Sequence, residues 1–373
     1  MKFHVITSDF QKAISSVEGI ISIREIKSAL SNIKIETTED KILLSATDLE
    51  ISIRTSVPAK ILSEGKGSVP AKQLSNILRL VNFPETSVEI VGDSEGTEQT
   101  LIKDAQEKID FKMTINGISS DELKTIDKVN NDIKKEIPCF TLANMIKKTY
   151  SFIAVEDTRY VFNGLFLKTT PEKIIVAGTD GRRLAKIERE IQNDLPFEKG
   201  VIIPHKAIRE ILKLIETHDS GKMSLLDNQI YLEVNGSELL CKLIDGNYPD
   251  YEAVIPKETK YVVRLNKENF NVVLKQALIA AQEPNKQIRF GFSKGNLNIN
   301  SSTPGTTEVS INIPVEYEGE DLLIALKGEY LTDLLKSIDD TDFDMRFSSP
   351  NAPVIFKDPS DEKFISVMMP MKL

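Results

Sequence analysis

The residues that could do chemistry in this chain are few and scattered. The three histidines, His4, His205 and His218, stand in no metal-ligating spacing such as H-E-x-x-H. His4 falls in a predicted strand, His205 at a helix start and His218 near a helix end, so each reads as structural or solvated. Cys139 and Cys241 have no metal spacing either, and a reduced, cytoplasmic protein needs no disulfide between them. No nucleophile elbow, phosphate-binding glycine loop or dinucleotide fingerprint is present. One stretch, Thr179-Asp180-Gly181-Arg182-Arg183, gathers a hydroxyl, a carboxylate and two guanidiniums. Asp-Gly also supplies the positive φ angles of a tight hairpin turn. Thr47-Asp48-Leu49-Glu50 stands at the equivalent place earlier in the chain, which favours a shared turn over an active site. Gly92-Asp93-Ser94-Glu95-Gly96 reads as a polar loop tip. The expectation is a protein without catalytic residues, metal or cofactor.

Charge points elsewhere. The net charge is −9, which by itself argues against nucleic acid. Yet Arg79, Lys213 and Lys336 occupy one register of three similar helices, opposite the apolar stripe. Lys72 and Lys206 lie one heptad earlier on that face. Lys147 and Lys275 match on another helix, where the first copy has Ser15. Glu329 and Asp333 interrupt the pattern in the third copy. A basic face on an acidic body can hold a polyanion by its phosphates, without reading sequence.

These charges sit on elements that occur three times. The stripe Phe10, Ala13, Ile14, Val17 returns as Leu142, Met145, Ile146, Thr149 and as Phe270, Val273, Leu274, Ala277. A second stripe, Leu74, Ile77, Leu78, Val81, returns as Ile208, Ile211, Leu212, Ile215 and as Leu331, Leu334, Leu335, Ile338. Each has the i, i+3, i+4, i+7 spacing of one buried helix face. The two stripes agree on offsets of 132 and 134 residues to the second copy, and 260 and 257 to the third. Alternating segments such as 32–36, 163–168 and 288–292 supply strands after each first helix. Val69-Pro70-Ala71 and Ile203-Pro204-His205 open second helices with proline in the first turn. The fold class is therefore α+β, three tandem domains of two helices and several antiparallel strands each. The expected boundaries are 1–122, a charged linker 123–136, then 137–255 and 256–373. No segment has the length and apolarity of a membrane span or the core of a signal peptide.

Four segments on this repeat resemble the bacterial sliding clamps, the beta subunits of DNA polymerase III. They are Arg159-Tyr160-Val161-Phe162-Asn163-Gly164, the run 178–185 around Asp180-Gly181, the run 243–251 ending Tyr248-Pro249-Asp250-Tyr251, and the terminal Met369-Pro370-Met371-Lys372-Leu373. The resemblance covers the whole chain. It implies a head-to-tail homodimer, a ring of six domains with paired helices lining a hole for double-stranded DNA and strands forming the outer sheet. It also implies a processivity function, tethering the polymerase III alpha subunit, the clamp-loader delta subunit and other proteins that carry clamp-binding peptides.

With the hole that the resemblance implies, the DNA-facing set is Arg24, Lys72, Arg79, Lys147, Lys148, Arg159, Tyr160, Lys206, Arg209, Lys213, Lys275 and Lys336, of which Arg24 and Arg159 rest on family position and the other cations on helical register or adjacency. The partner-peptide pocket comprises Phe162, Thr179, Gly181, Arg182, Arg183, Leu184, Pro249, Val254, Val367, Met369, Pro370, Met371 and Leu373. Phe111 and Met113 supply one half of the dimer contact. Phe162 stands where leucine is common in the family, and Ala253 and Pro353 where many members carry arginine and serine, so the peptide preference departs from the common one. A three-domain scaffold that does not encircle DNA is the alternative.

Overall fold

A computed structural model describes residues 1–21, 29–92, 97–123, 126 and 129–373. Arg24 and the tip 93–96 lie outside the described residues. Among these residues the chain forms six α-helices: α1 (Thr7–Glu18), α2 (Ala71–Leu80), α3 (Cys139–Thr149), α4 (His205–Ile215), α5 (Lys267–Ala280) and α6 (Gly328–Ser337). Every residue of the two expected stripes is buried or half-buried, from Phe10 at 0% exposure to Leu212 at the helix edge. Pro70 and Pro204 end strands and stand one place before their helices, rather than within the first turn. The missing N–H still costs nothing there.

The chain divides into two compact units, Met1–Phe140 with Arg209–Leu243, and Thr141–Ile208 with Ile244–Leu373. This division cuts through α3 and α4 and does not follow the sequence repeats. Its cause is strand sharing. In the first unit an eight-stranded antiparallel sheet runs in the order Lys135–Pro138, Ser220–Leu226, Gln229–Val234, Ser237–Lys242, Ile51–Pro58, Lys41–Thr47, Asn32–Thr37, Lys66–Pro70. First-repeat and second-repeat strands thus join in one sheet, through Glu238↔Arg54 to Cys241↔Ile51. The same unit holds a five-stranded sheet, Lys60–Ser63, Lys2–Ile6, Glu85–Gly92, Thr97–Asp104, Lys112–Ile118.

The second unit repeats the plan. Its eight-stranded sheet runs Val201–Pro204, Gly164–Thr170, Lys173–Thr179, Arg183–Glu190, Asp361–Met368, Val354–Asp358, Asp342–Phe347, Tyr261–Asn266. Second- and third-repeat strands join from Arg183↔Met368 to Ile187↔Phe364. A four-stranded sheet, Thr307–Pro314, Asn296–Thr303, Gln287–Ser293, Leu322–Lys327, completes it. Apolar helix faces cover the sheets: α1 packs on Lys41–Thr47 and Ile51–Pro58, and α5 on Asn296–Thr303 and Thr307–Pro314. No helix among the described residues is long and apolar enough to cross a membrane.

Candidate functional site

The turn at 179–183 is a hairpin tip between two strands whose Thr179 and Leu184 pair. Thr179 donates its hydroxyl to the Arg183 carbonyl at 2.6 Å and accepts from the Gly181 N–H at 3.0 Å. Asp180 accepts from the N–H groups of Arg182 and Arg183 at 2.9 and 3.0 Å. Gly181 has φ +83°, the left-handed conformation glycine adopts without steric cost. The first repeat reproduces this bond for bond: Thr47 to Ile51, Leu49 to Thr47, and Glu50 and Ile51 to Asp48, with Leu49 at φ 74°. The polar groups of the turn are consumed in holding its shape, which is what a turn needs and a nucleophile does not.

Beside this tip lies a pocket of about 250 Å³ in the second unit. Its walls include Phe162, Thr179, Gly181, Arg182, Arg183, Leu184, Pro249, Val254, Val367 and Met369, all in the set that the resemblance implied. Leu184 and Val367, each 2% exposed, face each other across the strand pair that joins the second and third repeats. Met369 follows that strand, is 44% exposed, and donates its N–H to the Arg182 carbonyl at 2.9 Å. Phe166 and Tyr248, stacked with ring centroids 4.7 Å apart, brace the far side, and Tyr248 donates to the Ala177 carbonyl at 3.3 Å. Burial pushes the Tyr251 phenol up to about 12, so it stays neutral. An apolar floor with a polar rim suits an aliphatic or aromatic side chain presented by an extended segment.

Three expected wall residues are not there. Pro370, Met371 and Leu373 do not line the pocket. The Met371 N–H donates to the Ala325 carbonyl, and Gln287 donates to the Lys372 carbonyl, which draws the tail onto the four-stranded sheet and a separate polar cavity. Leu373 is 62% exposed. Three residues outside the expected set, Arg159, Asp250 and Tyr251, do line it. Asp250 and Tyr251 close the run 243–251, so their proximity to Pro249 was the available signal. Arg159, expected among the DNA-facing cations, has its guanidinium 4.3 Å from the Phe162 ring centroid. It is bidentate to Asp157, whose carboxyl this partner holds down at about 2.

A larger, charged cavity of about 790 Å³ shares Arg159, Arg182 and Arg183 with the pocket. Arg183 itself is spent internally. It donates to Asp180 at 3.0 Å, to Asp333 of α6 at 2.9 Å and to the Ser151 carbonyl at 2.6 Å. Its guanidinium lies over the Tyr330 ring, 4.2 Å from the centroid.

The basic register has a mixed outcome. In the first unit Lys72 and Arg79 on α2, and Arg209 and Lys213 on α4, are exposed. In the second, Lys147 on α3, Lys206 on α4, Lys275 on α5 and Lys336 on α6 are exposed, as is Tyr160 at 74%. Carboxylates moderate cations of this register: Glu18 pairs with Arg79 at 3.3 Å, Glu210 with Lys213 at 2.8 Å and Asp333 with Lys336 at 3.0 Å.

Lys148 must be removed from the DNA-facing set. Its side chain is 3% exposed, and its ammonium lies 2.7, 3.2 and 3.0 Å from Asp339, Asp358 and Asp361. One helical position advances about 100°, so while Lys147 points to solvent Lys148 points into the protein. Burial alone would lower its pKa, but Asp339 and Asp361 outweigh burial and raise it.

Phe111 precedes the edge strand Lys112–Ile118 and packs on Phe83 with centroids 5.7 Å apart; Met113 is half-buried opposite Ile102. The second unit has its own open edge, Thr307–Pro314, which α5 adjoins. Ile279 near the end of α5 is 80% exposed. Sequence reasoning missed it, although an isoleucine off the α5 apolar stripe was a signal. Cys139 and Cys241 are free and buried, and burial pushes their thiols up to about 11 and 12.

Comparisons with known proteins agree along the chain. Models of the N-terminal, central and C-terminal domains of the DNA polymerase III beta subunit match residues 1–127, 136–250 and 252–372. A beta sliding clamp of Chlamydia pneumoniae is 28% identical, over 100% of this chain and 99% of that protein. One from Rickettsia bellii is 27% identical over the full length of both. The solved DNA polymerase III subunit beta from Pseudomonas aeruginosa superposes with a TM-score of 0.90, at 25% identity and complete coverage of both chains. A Pseudomonas aeruginosa sliding clamp bound to griselimycin has the same TM-score and identity.

Proposed function

This chain belongs to the DNA polymerase III beta-subunit family, the non-catalytic DNA sliding clamps, and we propose that it works as a closed homodimer encircling duplex DNA. The observation that carries this reading is the thrice-repeated pair of amphipathic helices with exposed cations at matching register. Lys72, Arg79, Lys147, Lys206, Arg209, Lys213, Lys275 and Lys336 would meet the phosphates. Their partial pairing with carboxylates keeps the attraction weak, and contacts to phosphate alone carry no register, so the ring can slide.

Head-to-tail closure would bring the edge strand Lys112–Ile118, with Phe111 and Met113, against the Thr307–Pro314 edge and Ile279 of a second copy. Two open edges, the half-buried Phe111 and Met113 and the exposed Ile279 support this, because unpaired strand edges are liabilities that assembly removes. The domain boundaries 1–122, 137–255 and 256–373 would then be those of the six ring segments. A cytoplasmic site of action goes with this reading.

The pocket beside the 179–183 hairpin would receive peptide segments of the polymerase III alpha subunit, the clamp-loader delta subunit and other clamp-binding proteins. The test is polymerase product length on a primed single-stranded circle with loader and ATP, together with retention on nicked circular DNA. Longer products, and retention that is lost on linearisation, are expected. Short products or retention independent of topology would favour a scaffold that does not encircle DNA.

A further inference from the structure

We infer that Asp333 couples the peptide pocket to the DNA-facing side of α6, so that each ligand strengthens binding of the other. This rests on the functional reading above. One carboxylate serves both sites. One Asp333 oxygen accepts from Arg183 at 2.9 Å, and the other accepts from Lys336 at 3.0 Å. Arg183 is 8% exposed and lines the pocket, whereas Lys336 is 67% exposed and proposed to meet phosphate.

The corresponding cations of the other second helices have different partners. Arg79 pairs with Glu18 and Lys213 with Glu210, each on a carboxylate of its own that is not among the residues lining the pocket. Asp333 is therefore a positioning residue. It holds Arg183, and Arg183 in turn holds Asp180, the residue that shapes the hairpin tip.

The coupling has a direction. When Lys336 turns to a DNA phosphate it gives up Asp333, whose charge then falls on Arg183 alone. The Arg183 contact strengthens, the 179–183 tip is held more firmly, and a bound peptide has less disorder to remove. By thermodynamic reciprocity the peptide must strengthen DNA binding by the same factor. The exchanged pair is exposed on the Lys336 side, and such pairs contribute little. The expected effect is accordingly small, about two- to fivefold.

The experiment uses the full-length clamp and a fluorescent peptide copied from the tail of its cognate polymerase alpha subunit. Affinity is measured by anisotropy with the clamp free and with it loaded on nicked circular duplex. The wild type should bind the peptide two- to fivefold more tightly when loaded. Asp333→Asn should abolish that difference and Asp333→Glu should restore part of it. Lys336→Gln, at an exposed position, should abolish it without the folding risk of Asp333→Asn. Lys213→Gln, which also removes a DNA-facing charge, should keep it. Equal affinities for free and loaded wild type, or a difference that survives Lys336→Gln, would overturn the coupling. Failure of the clamp to load or to bind the peptide at all would overturn the functional reading, and the coupling with it.

Discussion

Met369→Ala should weaken peptide binding by a calculable amount, while removal of the four residues after it should not. Met369 is the terminal-tail residue that lines the pocket, and it is 44% exposed, so about half of its side chain is free to be covered by a ligand. Alanine removes three heavy atoms. At about 0.8 kcal/mol per buried methylene-sized group, full coverage of those atoms would contribute about 2.4 kcal/mol. Half of that is already realised against the protein, leaving about 1 kcal/mol for the peptide, or a five- to tenfold loss of affinity. Pro370–Leu373 lie outside the pocket, and Met371 is bonded to Ala325 instead. A chain ending at Met369 should therefore bind the peptide within about twofold of wild type, because no wall atom is lost. Isothermal titration of one labelled alpha-subunit tail peptide against the three proteins measures both effects, with thermal melting alongside. If the truncated chain kept its melting temperature and lost binding as strongly as Met369→Ala, the tail would be part of the wall after all.

Four further outcomes are expected. Replacing Phe111 and Met113 together with aspartate should convert dimers to monomers in sedimentation equilibrium, since an unpaired charge in an apolar contact is costly; an unchanged dimer would place the contact elsewhere. Neutralising Lys72, Lys147 and Lys275 together should flatten the salt dependence of DNA retention by roughly one unit of slope per lost phosphate contact, and an unaltered slope would remove them from the DNA-facing set. Lys148→Met should cost about 3–5 kcal/mol of stability, seen as a lowered melting temperature, because the buried Asp358 would lose its counter-charge and Asp361 would be left with Arg189 alone. The same cluster fixes the acid response of the wild type. Burial raises the Asp358 and Asp361 pKa values, but Ser360 and Lys148, and Arg189 and Lys148, respectively outweigh it and bring both below the usual carboxylate value. Their stabilisation is complete above about pH 4 and is lost as pH falls through the lower folded values, so melting temperatures that rose on acidification below that point would contradict the assignment.

The helices were legible because a buried face imposes a 3.6-residue period, and that period survives in the text of the chain. The same periodicity sets Lys147 opposite the stripe and Lys148 about 100° round on its flank, but it could not show that Lys148 is buried. Both stand at the end of one helix, and what decides between them is three aspartates more than 190 residues away in sequence, 339, 358 and 361. Strand sharing was equally hidden. The repeats mark where similar segments recur, but Ile51–Pro58 pairs with Ser237–Lys242 across a repeat boundary, so the compact units differ from the repeats. The terminal tail failed for a related reason: Pro370 and Met371 adjoin Met369 in sequence, yet the Met371 N–H bond to the Ala325 carbonyl and the Gln287 side-chain bond to the Lys372 carbonyl carry the chain away from the pocket.

The pocket is best understood as a local departure from the repeat that surrounds it. Thr47-Asp48 and Thr179-Asp180 build the same hairpin with the same hydrogen bonds, so the backbone alone cannot distinguish them. The side chains that follow do. Leu49, Glu50 and Ile51 stand in the first repeat where Gly181, Arg182 and Arg183 stand in the second. One position on, Ser52 pairs across the shared sheet with Leu240, whereas Leu184 pairs with Val367. The second hairpin therefore has a bare tip, two guanidiniums and an apolar pair at one place, and the strand it joins ends by delivering Met369. Glycine leaves the tip without a side chain, the Leu184–Val367 pair makes a floor, and Arg183 ties the tip to α6 through Asp333. The repeated backbone thus accounts for the scaffold, and a few unrepeated side chains account for the candidate binding site.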